Sequence, residues 1–267
     1  DLAEAERWIL ARTEWAAGEA TRLLESYLFG EYAHLMQQFV WGEVADAYIE
    51  LSKAGLRDER RRPSTVRTLA YVLDRVLRLL HPITPFISET LALQLWSTRR
   101  TSRDDASLVI ARWPAAGARD VALEERFGLA LDVVRAVRAL RQEVGIDPGE
   151  RASVTLSGQT AAIASLTGVI ATLVNGDVAV RDGSGPSKMA RAIEVRIEAE
   201  RDVAAERARL ERELAQAREA LRRSEELLAR PGFAQKAPRP VVEKERARLE
   251  ERRTQVALLE EELRRLG

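Results

Sequence analysis

The sequence predicts a mainly α protein in three parts: an antiparallel helical bundle, a small α+β unit and a long antiparallel coiled-coil hairpin. Three observations carry this reading. Apolar residues recur at helical spacing in five stretches between Leu2 and Glu143. From Ala152 to Ile197 the texture changes to short alternating runs divided by glycine-rich turns. The last third returns to a heptad on both sides of a link, Arg230-Pro231-Gly232-Phe233-Ala234-Gln235-Lys236-Ala237-Pro238-Arg239-Pro240. The parts are residues 1–144, 145–198 and 199–267.

Leu2 to Tyr27 reads as an amphipathic helix with Trp8, Ile9, Ala16, Leu23 and Leu24 near one face, and Phe29-Gly30 reads as its break. A second helix, Glu31 to Lys53, carries the aromatic stripe Tyr32, Phe39, Trp41 and Tyr48, which is expected to pack in the core. A polar link, Ala54 to Pro63, holds Arg57, Arg60, Arg61 and Arg62. Ser64 then serves as the cap of a third helix reaching Leu80. The two prolines of His81-Pro82-Ile83-Thr84-Pro85-Phe86 stop that helix, because proline lacks the donor and clashes with the preceding turn. A fourth helix runs from Phe86 to about Trp96. A loop with an extended piece at Leu108–Trp113 leads to a fifth helix, Val121 to about Glu143, on which Arg135, Arg138 and Arg141 are expected to share one face at steps of three. Short links between such helices make an antiparallel bundle.

Beyond the turn at Gly145–Gly149, strands are expected at Ala152–Leu156, Val178–Val180 and Ala192–Ile197, with a helix at Thr160–Leu173 and a loop at Gly183–Pro186. In the last part the apolar seam is Leu210, Leu214, Ala217, Leu221 and Leu228, interrupted by Ser224. After the link it is Val242, Glu245, Leu249, Arg252, Val256, Leu259, Leu263 and Leu266. Two seams joined by a non-helical link bury each other as a hairpin, and arms of roughly thirty residues reach about 45 Å. A rod with so little core suits a contact far from the body.

The composition excludes several classes. Net charge is zero, with 42 basic and 42 acidic residues, so no global field announces nucleic acid. Residues 201–267 hold 17 basic against 14 acidic side chains, a small local excess. There is no cysteine, hence no disulfide or cysteine metal site, and only two histidines, His34 and His81. No apolar run approaches a membrane span and no signal peptide opens the chain, so a cytoplasmic location without membrane attachment is expected. The chain opens on Asp1 instead of methionine, which suggests a piece of a longer protein. No phosphate loop, nucleophile elbow or His/Glu metal motif occurs. Ser187-Lys188-Met189, in the loop between strands, has the wrong order for a nucleotide-binding lysine-serine signature. These residues bind; they do not catalyse.

Other residues carry a resemblance. Phe39-Val40-Trp41-Gly42-Glu43, Tyr48-Ile49-Glu50-Leu51-Ser52-Lys53 and Leu79-Leu80-His81-Pro82-Ile83-Thr84-Pro85-Phe86-Ile87-Ser88-Glu89 resemble the anticodon-binding bundle of class I aminoacyl-tRNA synthetases. Val134-Arg135, Arg138, Arg141, Glu143, Ile146-Asp147-Pro148-Gly149, Gly232-Phe233, Lys236-Ala237-Pro238, Val241-Val242 and Glu245 are similar to valyl-tRNA synthetases in particular. At Ala45-Asp46-Ala47 the chain departs from that family, which usually flanks the aspartate with cysteine and tryptophan. The resemblance spans the chain in order. It implies a tRNA-binding region whose bundle meets the anticodon stem-loop and whose coiled coil meets the tRNA corner. The Rossmann catalytic domain and the editing domain would be missing here. The whole enzyme would join valine to tRNA(Val) using ATP and Mg2+, with no cofactor held by this chain and a monomeric state expected. An oligomerisation module, the equivalent region of another class I synthetase and a free-standing tRNA-binding factor are the competing readings.

Phosphate contacts need exposed Arg or Lys. The candidates are Arg57, Arg60, Arg61, Arg62, Arg135, Arg138 and Arg141 on the bundle. On the arm they are Arg218, Arg222, Arg223, Lys236 and Arg239.

Overall fold

In the computed structural model the described residues are 2–97, 107–147, 149–198, 203–229 and 239–265, with backbone only for 203–209, 239–241, 262 and 265. They form two compact units: residues 1–141 with 146–198, and residues 142–145 with 199–267.

The bundle opens with α1 (Glu4–Glu25), whose Trp8, Ile9, Ala16, Ala17, Ala20 and Leu23 are buried. Its end is two residues earlier than expected. Tyr27 adopts φ 57°, the left-handed position glycine usually fills, Tyr27 N–H donates to Leu24 O and Leu28 N–H donates to Leu23 O. Phe29-Gly30, expected as the break, instead form the first turn of α2 (Phe29–Gln37).

From α2 the chain continues without interruption through a π-helical stretch, Gln38–Tyr48, into α3 (Ile49–Arg57). This stretch settles the aromatic stripe. An α-helix would turn Tyr48 about 160° away from Tyr32. The wider π turns lag behind and return it to the same face. Tyr32, Phe39 and Tyr48 are accordingly buried, whereas Trp41 is 70% exposed and is not core. The departure from the family pattern, Ala45-Asp46-Ala47, lies inside this stretch.

After a short link comes α4 (Arg62–Leu80), with Pro63 in its first turn, where a missing donor costs nothing. Ser64 is therefore not the cap: its hydroxyl donates to Arg61 O at 2.7 Å inside the turn. α3 lies close against α4. A Cβ at Gly55 would stand 2.3 Å from Thr65 Oγ1. The proline turn at residues 81–84 leads to α5 (Pro85–Ser97), and Ser88 Oγ sits 2.9 Å from His81 Nδ1. Leu108–Ile110 is a turn, not the expected extended piece. Glu89 accepts the Leu108 N–H at 2.8 Å, which draws Leu108 into a core with Leu77, Ala92 and Trp96.

α6 (Val121–Val144) closes the bundle, with Leu123, Phe127, Val133, Val137 and Leu140 fully buried. Trp8 stacks on Phe127 at 4.8 Å between ring centroids. Arg12 of α1 reaches Glu43 of the π stretch (2.7 and 2.8 Å) and Glu124 of α6 (3.0 Å), and Arg119 adds two bonds to Glu124. Burial opposes the Arg12 charge, but hydrogen bonds and attraction from Glu43 and Glu124 outweigh it and hold its pKa above the usual value. Trp41, Leu73, Leu80, Ile83, Ile87 and Leu91 line an open apolar groove of about 520 Å³ on the bundle surface.

The small sheet has the order β2-β1-β4-β3. β1 (Ala152–Gly158) pairs in parallel with β2 (Gly176–Val180), and a 3-10 turn (Ala161–Leu166) with α7 (Thr167–Val174) crosses between them. β4 (Ile193–Ile197) runs antiparallel to β1 and to β3 (Ser187–Ala190). β3 was not expected. Its Ser-Lys-Met has no β-branched residue, and it exists through a hairpin to β4 in which Arg191 takes φ 53°. Ser187-Lys188-Met189 is thus strand, not loop.

In the second unit, α8 (Val203–Ala229) and α9 (Arg239–Arg265) lie antiparallel, joined across by Arg218–Glu260 at 2.6 Å and Arg253–Glu225 at 3.2 Å. Every described seam position, 210, 214, 217, 221, 224 and 228 against 242, 245, 249, 252, 256, 259 and 263, is buried or half-buried. Leu266 lies outside the described residues.

Candidate nucleic-acid interface

The α3–α4 link is the most open cluster of cations predicted from the sequence. Asp58 Oδ1 accepts the backbone N–H of Arg60 (2.9 Å) and of Arg61, an Asx turn that fixes the link. Arg57 and Arg60 are exposed, with no side-chain ion pair to a described residue. Arg62 donates to Leu56 O at 2.8 Å, satisfying a carbonyl at the end of α3, and stays exposed. Arg61 differs: it turns back to the buried carboxylate of Glu6 at 3.4 Å, which also accepts Thr65 Oγ1 at 2.9 Å. Arg67, one turn along α4, extends the exposed basic surface; the sequence reading passed over it because it lies inside the helical period.

The arginines of α6 separate. Arg135 is 70% exposed and shares Asp132 with Arg191, at 2.5 and 2.6 Å. Arg138 pairs with Asp46 and donates to Leu173 O at 3.4 Å. Arg141 is 5% exposed and is no phosphate ligand. Its guanidinium donates to Val174 O (2.6 Å), the last carbonyl of α7, to Asp147 O (2.5 Å) and to Glu150 O. Steps of three advance about 300° around a helix, so each arginine lies about 60° behind the last and the row turns from solvent into the interior.

On the arm, Arg218 bridges to Glu260, Arg222 pairs with Glu219 and Glu226, and Arg223 with Glu219 at 3.1 Å. The hydrogen bonds from Arg222 and Arg223 push the Glu219 carboxyl down to about 2. Lys236 lies outside the described residues, as does the side chain of Arg239. Lys244 and Arg246, on the first turns of α9, are exposed with no ion pair to a described residue. Their positions between seam residues 242 and 249 could have marked them as outward-facing.

The bundle presents unpaired cations at a helix junction and the chain also carries a charged hairpin, a pairing that fits an RNA-binding class of protein, and comparison with known proteins agrees. Residues 6–156 match the anticodon-binding domain of tRNA ligases, and the chain belongs to that family. Residues 202–267 match the valyl-tRNA synthetase tRNA-binding arm. The particular proteins it resembles are valine–tRNA ligases. It is 33% identical to that of Chromobacterium violaceum over 92% of this chain and 27% of that protein. It is 33% identical to that of Thermus thermophilus (98% and 30%) and 34% identical to that of Streptomyces coelicolor (93% and 28%). The chain spans less than a third of the length of these relatives.

Proposed function

We propose that this chain holds tRNA(Val) for a valine–tRNA ligase, its bundle on the anticodon stem-loop and its arm on the outer corner of the tRNA. The observation that carries the reading is the pair Arg57 and Arg60, exposed and unpaired among the described residues within an anticodon-binding fold. Unpaired arginines offer charge to phosphate without first breaking an ion pair. On this reading ATP, Mg2+ and the joining of valine belong to the remainder of such a ligase, which is this chain's protein partner in the cytoplasm. The seam supports a monomer over an oligomerisation module, since both apolar stripes face each other within one hairpin.

The test is a titration of labelled tRNA(Val) read by fluorescence anisotropy at low salt. Arg57→Glu with Arg60→Glu is expected to weaken binding more than tenfold while the melting temperature is unchanged. Equal affinity for the variant removes the α3–α4 link from the interface. No binding by the unaltered chain overturns the reading.

A further inference from the structure

The three polar residues that interrupt the two apolar seams are far apart in sequence, yet they meet. Ser224 of α8 is the most deeply buried polar side chain described in the arm, at 1% exposure. Its hydroxyl donates to Glu245 Oε1 at 2.7 Å and accepts from Arg252 Nη1. Arg252 also donates to Ala220 O at 3.0 Å and stands 3.8 Å from Glu245 Oε1. One hydroxyl thus links an anion and a cation of the facing helix, and each interruption of one seam is satisfied by those of the other.

An apolar heptad seam specifies register weakly, because a slip of seven residues again sets leucine against leucine. Here the slip is costly. It would carry Arg252 toward Leu214 and Ala217, or toward Leu228, and leave Glu245 and Ser224 without each other. Removing the partner of a half-buried charge is the costly case, whereas replacing the whole cluster by apolar residues is often neutral or stabilising.

We infer that Ser224, Glu245 and Arg252 are positioning residues that lock the register of the hairpin and so fix where the RNA-contacting surface of the arm stands. The effect on RNA contact rests on the tRNA-binding reading; the lock itself does not. Register here is a matter of length: one heptad displaces the two helices by about 10 Å at 1.5 Å per residue. The outward cations Arg223, Lys244 and Arg246 would move with it.

The chain has no cysteine, so paired spin labels can be placed without background. Labels at Ala215→Cys and Leu258→Cys, both exposed and on opposite helices, report register as an interspin distance. The unaltered seam is expected to give one narrow distance. Ser224→Leu, Glu245→Leu and Arg252→Leu together are expected to melt no lower, to broaden or split that distance, and to weaken tRNA(Val) binding about fivefold. A single narrow distance identical to the unaltered protein overturns the lock. A broadened distance with unchanged tRNA affinity upholds the lock and removes the arm's register from tRNA binding. Should the triple variant fail to fold, Ser224→Ala, which deletes only the bridging hydroxyl, is expected to broaden the distance partly. No broadening there also overturns the lock.

Discussion

Arg141 shows how a residue type can mislead. Its place in a row of arginines suggests a phosphate contact, and only the drift of the helix reveals that it points inward. Its guanidinium closes the end of α7 and the turn at Asp147–Glu150 against α6. Arg141→Met is therefore expected to destabilise the first unit by about 1–3 kcal/mol in a urea titration, by stranding the buried carbonyl of Val174 and removing a donor from the carbonyls of Asp147 and Glu150. Arg135→Met, at an exposed pair, should change stability by less than about 1 kcal/mol. Gly55→Ala, which drives a methyl onto Thr65, is expected to lower stability by about 1–3 kcal/mol in the same assay. The exposed arginines of the link were legible because a polar run between two helical periods has nowhere to bury its charges. The inward turn of Arg61 was not, since its partner Glu6 is 55 residues away.

Among the elements, those with a strict period were legible and those that change period were not. The hairpin seam follows from steps of three and four, and each described position of it is at least half-buried. Trp41 stands about 180° from Tyr32 even at 3.6 residues per turn, so it was misplaced by its residue type alone, whereas the π stretch is what brings Tyr48 back to the buried face. The short strand β3 is held by its partner more than by its own residues, so no local signal announces it. The arm also carries a pH dependence. The Ser224 hydroxyl, aided by Arg248 and Arg252 against the opposing effect of burial, holds the Glu245 carboxyl below its ordinary value, as hydrogen bonds from Arg222 and Arg223 hold Glu219 down at about 2. Carboxyls whose folded pKa is depressed stabilise the fold above their ordinary value and lose that contribution as pH falls. Hydrogen-exchange protection of the arm, corrected for intrinsic rates, is thus expected to hold down to about pH 4.5 and decline below it. Glu245→Gln should flatten part of that decline.

For the whole molecule, the division into a bundle-and-sheet unit and a hairpin unit leaves the intrinsic reporter on the first alone. All five tryptophans lie before residue 114 and none lies in the arm. A chain ending at Glu198 is expected to keep the tryptophan-detected melting midpoint of the full chain and, on the proposed function, to bind tRNA(Val) more weakly. A lower midpoint would make the arm part of the first unit's stability. The mainly α architecture with a small sheet was legible because the helical and the alternating stretches carry different hydrophobic periods.

The groove beneath Trp41 has a practical consequence for anyone following this protein in solution. Its walls include Trp41, Leu73, Leu80, Ile83, Ile87 and Leu91, open to solvent in the folded state. An environment-sensitive dye such as anilinonaphthalene sulfonate should light up on the native chain, a signal usually taken to mark a loosened, partly folded protein. Here the glow should fade on heating, together with near-ultraviolet dichroism, because it reports a surface that only the intact bundle can assemble.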